Sequence, residues 1–175
     1  VQDAHITGRG QVFDPNPVNA LGDTTLRDND NADQPAFDAA YRTVDLPGLS
    51  RSFLDLLGPV VLSGPYVRVT DLIERPFLPM ASSPTGDFLF TRERPEFEAV
   101  MAYHHVTMNQ SYIQSRGFTN INNRSHKIDP HGAMGQDNSF YNPVPVGAGY
   151  ITFGEGGVDD AEDADVIIHE YGHSI

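Results

Sequence analysis

The spacing of apolar positions changes near residue 94. Before that point, apolar residues alternate with polar ones in short runs, as at residues 10–13, 41–46 and 60–69, and Pro, Gly and Asp separate the runs. Short alternating runs between turn residues are typical of half-buried β-strands. The pattern therefore predicts that residues 1–92 are mostly β-structure.

From about residue 94, apolar side chains recur every three to four positions, which is the period of an amphipathic helix. The row consists of Phe97, Val100, Met101, His104, His105, Met108, Tyr112 and Ile113. Gly117 follows it, and glycine often ends helices because it adopts left-handed backbone angles easily. We predict a helix over about residues 94–116. Because neighbouring helical side chains point about 100° apart, we expect His104 and His105 to pack in the fold rather than share a metal.

Residues 118–158 return to turns and short strands, with one strand predicted at 150–153 between two glycines. The segment after them begins with an acidic N-cap arrangement near Asp160, which predicts a second helix over about residues 160–175. We find no internal repeat and no long linker. The sequence thus predicts an α+β fold in one domain over residues 1–175.

The composition limits the partners and the metal ligands that the chain can have. The 175 residues include 11 Lys and Arg against 24 Asp and Glu, a formal net charge of −13. Nucleic acids and anionic membranes attract basic surfaces, so we expect neither as a partner. The sequence contains no run of about 18 apolar residues, so it predicts no membrane span. Cys is absent, so a metal site must use His, Asp and Glu.

Residues 169–173 read HEYGH, an instance of the HExxH pattern. On a helix, His169 and His173 lie about 40° apart around the axis and one turn apart along it, so both imidazoles can bind one zinc ion. Glu170 lies about 100° from His169, where its carboxylate can reach a water on the metal. The apolar run at 166–168 predicts that this helix and its His pair are buried. The pattern therefore predicts zinc-assisted hydrolysis with Glu170 as general base.

The stretch DADVIIHEYGH at residues 163–173 resembles the active-site helix of the gluzincins, the thermolysin and fungalysin group of zinc metallopeptidases. The likeness extends in order and spacing to residues 138–141, 150–156 and the helix around 101–113. It covers about residues 93–175, and the earlier half is similar only as a β-rich lobe. The resemblance implies a zincin-like N-terminal lobe of a secreted zinc metalloendopeptidase that acts on proteins or peptides.

The resemblance also implies roles for individual residues. His169 and His173 would bind zinc, and Glu170 would be the general base. Asn138 would hydrogen-bond the substrate backbone, and the Ser139 carbonyl would accept a hydrogen bond from a substrate added along the edge strand. A further set of carboxylates crowds the position at which thermolysin binds calcium: Asp159, Asp160, Glu162, Asp163 and Asp165. A calcium ion would relieve their mutual repulsion, although acidic residues at a helix start have the same composition without one.

The resemblance leaves the third zinc ligand open. Gluzincins take it from a Glu on a later helix, and the chain ends two residues after His173. We therefore expect the 175 residues to be inactive without a C-terminal helical lobe of the same polypeptide. A third His six residues after His173 would instead indicate a metzincin. Local completion of the zinc site by His126, Asp129 or His131 is a further alternative.

The alternative to a peptidase is a non-catalytic module that binds calcium or a protein through a zincin-like lobe.

Two further expectations concern single segments. Residues 23–38 are acidic and rich in Asn, and we interpret them as a solvated loop rather than a calcium site, because they lack the spacing of a calcium-binding helix-loop-helix. Gly172 costs about 1 kcal/mol inside a helix relative to Ala, for which we expect close packing as the reason.

Overall fold

Two β-sheets and a long helix whose first turns are buried organise the chain. The computed structural model describes residues 5–28, 31–51, 58–73, 78–144 and 149–175. The strands are β1 (Ile6–Val12), β2 (Arg42–Arg51), β3 (Val60–Val61), β4 (Val67–Val69), β5 (Ser82–Ser83), β6 (Asp87–Phe88), β7 (His126–Asp129), β8 (Phe140–Asn142) and β9 (Tyr150–Thr152). The helices are α1 (Pro17–Leu21), α2 (Glu96–Ser115) and α3 (Ala164–Gly172), with short 3-10 helices at Pro35–Phe37 and Asp160–Glu162. The predicted α+β class is confirmed.

The two sheets differ in strand direction. The five-stranded sheet has the order β5-β3-β2-β1-β6, and its longest pair, β1 and β2, is antiparallel. The four-stranded sheet has the order β4-β7-β9-β8, in which β4, β7 and β9 are parallel and β8 is antiparallel to β9. Parallel neighbours need a crossover connection, and α2 lies in the connection between β4 and β7.

Helix α2 is the centre of the core. It packs against β1, β4 and α3, and residues 97–103 are all buried. The helix lies within the predicted range of about 94–116, and Gly117 beyond it has the expected left-handed φ of 92°. The predicted apolar face is wrong at Met108 and Tyr112, which are exposed. The reason is that the core surrounds the first turns of α2 instead of following one stripe along its length.

The run at residues 60–69, predicted as one strand, forms two. β3 pairs with β2 in the five-stranded sheet, whereas β4 pairs with β7 in the four-stranded sheet. Gly64 and Pro65 lie between them. Pro65 has no N–H to donate to a ladder, and a Cβ at Gly64 would overlap the hydroxyl of Tyr103. The alternation of apolar residues therefore continues across a turn at which the chain passes from one sheet to the other.

His104 and His105 pack in the fold, as predicted, and neither belongs to a metal-binding group within the described ranges. His105 Nε2 donates to the carbonyl of Phe13 at 2.9 Å, and the two imidazole rings are 5.0 Å apart. Burial, with the neighbouring His105, lowers the pKa of His104 from 6.5 to about 4. Burial also lowers the pKa of His105.

This burial predicts that the stability contributed by His104 is lost in acid. The unfolded chain binds a proton at His104 near pH 6.5, whereas the folded chain resists it until about pH 4. The contribution of His104 is therefore present above pH 6.5 and is lost as the pH falls from 6.5 to 4, by at most about 3 kcal/mol. Urea unfolding between pH 4 and 7 should show a smaller loss for His104→Gln than for the parent. The exposed His5→Gln change should leave the parent's loss unaltered, and equal losses in all three proteins would contradict the explanation.

Candidate metal centre

Helix α3, which carries the HEYGH motif, begins later than predicted. Its N-cap is Asp163, whose side chain accepts a hydrogen bond from the backbone N–H of Asp165 at 2.8 Å. The backbone at Asp163 is extended, with φ −112° and ψ 117°, and this separates α3 from the 3-10 helix at Asp160–Glu162. The predicted start at Asp160 is therefore wrong, because the acidic stretch contains two short helical segments that meet at Asp163.

One face of α3 is fixed to α2. Ile167 and Tyr171, four residues apart, are fully buried. The Tyr171 hydroxyl donates to Gln110 Oε1 on α2 at 2.6 Å. His169 and His173 lie on the other side of the helix and are exposed, with 68% of the His169 side chain accessible. The prediction that the His pair is buried is wrong, because the core takes the Ile167 and Tyr171 face.

The two imidazoles converge. His169 Nε2 and His173 Nε2 are 3.1 Å apart, and their rings are perpendicular. Zinc bound tetrahedrally at 2.0–2.1 Å places neighbouring ligand atoms about 3.4 Å apart, so the pair fits zinc with little movement. Glu170 is buried between this face and the core, and its Oε1 lies 4.0 Å from His169 Nε2. At that separation the carboxylate can contact a water held on a metal ion between the imidazoles.

The proposed local third ligands are engaged elsewhere. The metal-binding group at this position contains His169, Glu170 and His173 among the described residues. His126 Nε2 hydrogen-bonds Asn122 Oδ1 at 2.8 Å. Asp129 accepts hydrogen bonds from the backbone N–H groups of Leu72 and His131, and His131 Nδ1 faces Glu155 at 2.9 Å. The hypothesis of a zinc site completed by His126, Asp129 or His131 is therefore wrong.

The edge strand predicted to bind substrate lies beside α3. Strand β8 is the last strand of the four-stranded sheet and contacts α3. Asn138 is exposed two residues before it. The Ser139 hydroxyl donates to Asp160 Oδ2 at 2.6 Å and accepts from the N–H of Gly154 at 3.3 Å. These bonds fix the start of β8 relative to the segment that leads into α3, while the substrate-binding roles of Asn138 and Ser139 stay predictions.

The five carboxylates predicted to share calcium do not converge. Asp160 accepts from Ser139, Asp163 Oδ2 accepts from Asn16 Nδ2 at 2.8 Å, and Asp165 is exposed. The other two, Asp159 and Glu162, come within 4.8 Å of Asp28. The five carboxylates therefore do not form one calcium site, because hydrogen bonds to residues distant in sequence hold Asp160 and Asp163 elsewhere and Asp165 is exposed.

Arg92 supplies positive charge to the remaining carboxylates. Its Nη2 lies 2.7 Å from Asp28 Oδ1 and 2.8 Å from Glu162 Oε2, and its Nε donates to Glu162 Oε1 at 3.1 Å. Asp28 Oδ2 also accepts from the N–H of Asp159 at 2.9 Å. Burial raises the pKa of Glu162 to about 8 in spite of Arg92, and it raises the pKa of Asp159 to about 6 with the help of Asp28.

The position of Asp28 corrects the interpretation of residues 23–38 as a solvated loop. Asp28 is held by Arg92, and Phe37 in the same segment is buried. Positions 29 and 30 lie outside the described residues. The pairing joins Asp28 to residues 64 and 134 positions later, Arg92 and Glu162, so no local pattern could have indicated it.

Close packing does not explain Gly172. A Cβ built on it meets nothing within 4 Å, which contradicts our expectation. Replacing Gly172 by Ala should therefore raise the free energy of unfolding by about 0.5–1 kcal/mol, because alanine loses less backbone entropy in a helix. Thermal unfolding measures this directly. As a control, Gly64→Ala should destabilise, since its Cβ would overlap Tyr103; destabilisation by Gly172→Ala would contradict the explanation.

Comparison with known proteins adds no assignment. Neither a scan against models of protein families nor a search of curated proteins finds a match to this chain. No helix in the described part of the chain is long and apolar enough to cross a membrane. The functional interpretation therefore depends on the geometry of His169, Glu170 and His173.

Proposed function

We propose that residues 1–175 form the zincin-like lobe of a secreted, zinc-dependent metalloendopeptidase that cleaves proteins or peptides. His169 and His173 are the zinc ligands, and Glu170 is the general base. The observation that carries the proposal is the 3.1 Å separation of the two Nε2 atoms on the exposed side of α3. Two imidazoles at this distance, with a buried carboxylate 4.0 Å away, suit one tetrahedral metal ion.

Bound zinc supplies a Lewis acid that polarises a carbonyl and lowers the pKa of a water to near neutrality. Glu170 takes the proton from the attacking water and returns it to the amine that leaves, as a carboxylate does in general acid–base catalysis. Its burial holds it in one place next to the imidazoles. His169 and His173 are anchored through Tyr171, whose bond to Gln110 fixes α3 on α2.

The substrate lies along β8 in this proposal. An extended peptide can add to the edge of a sheet through backbone hydrogen bonds, and β8 is at such an edge next to α3. Asn138 is exposed at its start and has an amide that can bind a peptide group. Substrate backbone and metal ligands would then face each other across the space between β8 and α3.

A catalytic zinc has three protein ligands and an open position. His169 and His173 are two, and the described residues bring no third apart from Glu170 into their group. We place the third ligand in a Glu of a C-terminal helical lobe of the same polypeptide. A metzincin-type third His would complete the zinc site in the same way. Replacing the candidate Glu and the candidate His in turn distinguishes the two families.

Metal dependence tests the proposal. The protein with its C-terminal lobe should lose peptide hydrolysis after dialysis against a chelator and regain it with Zn²⁺ but not with Ca²⁺. His169→Ala should prevent the recovery, whereas His5→Ala, at an exposed position on the N-terminal side of β1, should leave it intact. Hydrolysis restored by Ca²⁺ alone, or hydrolysis that withstands the chelator, would contradict zinc chemistry at His169 and His173. Binding of Ca²⁺ without any hydrolysis would favour the non-catalytic alternative.

A further inference from the structure

A second group of potential metal ligands lies between α2 and the four-stranded sheet. Glu98 is on α2, His131 follows β7, and Glu155 follows β9. His131 Nδ1 lies 2.9 Å from Glu155 Oε1 and 3.4 Å from Glu98 Oε2. One ligand atom from each residue lies within 4.8 Å of the other two. Three separate elements therefore converge on one point, which is distinct from the group at His169.

The hydrogen bond of the other imidazole nitrogen sets the tautomer of His131. Its Nε2 lies 3.1 Å from the carbonyl oxygen of Pro95. A carbonyl only accepts, so Nε2 carries the proton. In neutral His131 the lone pair of Nδ1 then points at two carboxylates, which are acceptors as well. Three acceptors facing one another are stable only with a cation or an added proton between them.

Glu98 gives an independent indication of a ligand. Its side chain is 1% exposed, and neither carboxylate oxygen has a hydrogen-bond partner. A buried carboxylate without partners costs several kcal/mol. The charged groups that act on Glu98 do not compensate, because three of them are further carboxyl groups, Asp159, Glu162 and Glu155, and Arg92 is already bound to Asp28 and Glu162. A positive charge at this position would satisfy both oxygens.

We propose that Glu98, His131 and Glu155 bind a divalent transition-metal ion of the zinc class. The 2.9 and 3.4 Å separations are close to the edge of a tetrahedron around zinc, about 3.4 Å. Metal-binding histidines commonly donate their other N–H to a backbone carbonyl, as His131 does to Pro95. One imidazole with two carboxylates favours zinc over calcium, which takes six to eight oxygen ligands.

A pocket opens beside two of the three proposed ligands, His131 and Glu155. It has a volume of about 330 Å³ and is lined by residues that include His131, Glu155, Asp129 and Met134. An ion can enter through it, and a water can occupy the fourth position. With three protein ligands from α2 and the ends of β7 and β9, the ion would clamp the helix onto the sheet. We assign it a structural role that is independent of peptide hydrolysis.

Zinc titration of the intact protein tests this inference in a His169→Ala/His173→Ala background, which removes the proposed catalytic ligands. We expect one equivalent of Zn²⁺ to bind after complete chelation and to raise the unfolding temperature. Co²⁺ should occupy the same site and give the absorption spectrum of a cobalt ion bound by nitrogen and oxygen ligands. Adding Glu155→Gln should weaken Zn²⁺ binding by more than about 100-fold and abolish the temperature shift, since a first ligand matters more than its outer partners.

The control is Glu93→Gln, the same chemical change at an exposed position, which should keep the bound equivalent. Glu155 is 36% exposed, so its replacement should leave the fold intact, and far-UV circular dichroism checks this. Failure of Zn²⁺ to bind in the double His variant would overturn the inference, as would equal affinity in Glu155→Gln. So would side-chain ¹⁵N spectra in which His131 keeps protons on both nitrogens in excess Zn²⁺, because a proton rather than a metal would then lie between the carboxylates.

Discussion

Replacement of Arg92 by Leu is expected to lower the free energy of unfolding by about 3–5 kcal/mol, a large share of the stability of a domain this size. The side chains of Arg92, Asp28 and Glu162 are only 3%, 8% and 6% exposed. Leucine fills a similar volume but leaves the two buried carboxyl groups without the guanidinium that binds them. Urea unfolding at pH 7 measures the difference.

The matched control is Arg94→Leu, two residues along the chain. Arg94 pairs with Glu96 at 2.9 Å, but 57% of its side chain is exposed. An ion pair in water contributes no more than about 1 kcal/mol. If the two Leu variants lose the same stability, Arg92 does not hold the buried carboxylates as described.

Replacement of Glu170 by Gln is expected to slow peptide hydrolysis by about 100- to 10,000-fold, which is the usual contribution of a general base. The amide is nearly isosteric and cannot take a proton from the attacking water. Because His169 and His173 are unchanged, zinc content should stay the same. Steady-state kinetics on a peptide substrate, with metal analysis of the same samples, separate loss of catalysis from loss of metal.

Glu93→Gln is the control for this variant as well, since Glu93 is exposed and has no part in the proposed mechanism. It should hydrolyse the peptide at the parent's rate. Parental activity in Glu170→Gln would contradict the assignment of the base. A loss of zinc in parallel with activity would instead make Glu170 a metal ligand.

Local pattern is sufficient to predict that α2 and the HExxH helix exist, although not where the second of them begins. The three- to four-residue period marks α2, and Gly117 marks its end. The four-residue spacing of His169 and His173 is enough to bring their nitrogens together, as the 3.1 Å separation shows. These features depend only on the geometry of a helix, which a sequence displays directly.

Features that depend on distant partners could not be predicted in this way. The acidic residues near Asp160 predict one helix start and leave a calcium site open, yet Asp160 binds Ser139 and Glu162 binds Arg92. Similarly, the sequence pattern does not single out Glu98, which faces His131 from another element. The sequence shows how much charge is present, and tertiary contacts decide which groups it meets.

Burial was the other property that local pattern misjudged. The apolar run at 166–168 indicated a helix buried all round, but the core takes only Ile167 and Tyr171 fully, so the His pair is exposed. Conversely, Glu98 is buried with the helix around it. In both cases the position of α2 at the centre of the fold decides the outcome, and that position follows from long-range packing.

Side-chain ¹⁵N–¹H correlation spectra of the intact protein, recorded during a Zn²⁺ titration, measure the central interaction most directly. The Nε2 resonances of His169 and His173 should move together at one zinc concentration, while those of His104 and His105, which pack in the core, stay in place. If the two Nε2 resonances do not respond to saturating Zn²⁺, the pair does not hold the metal, and the proposed peptidase chemistry is wrong.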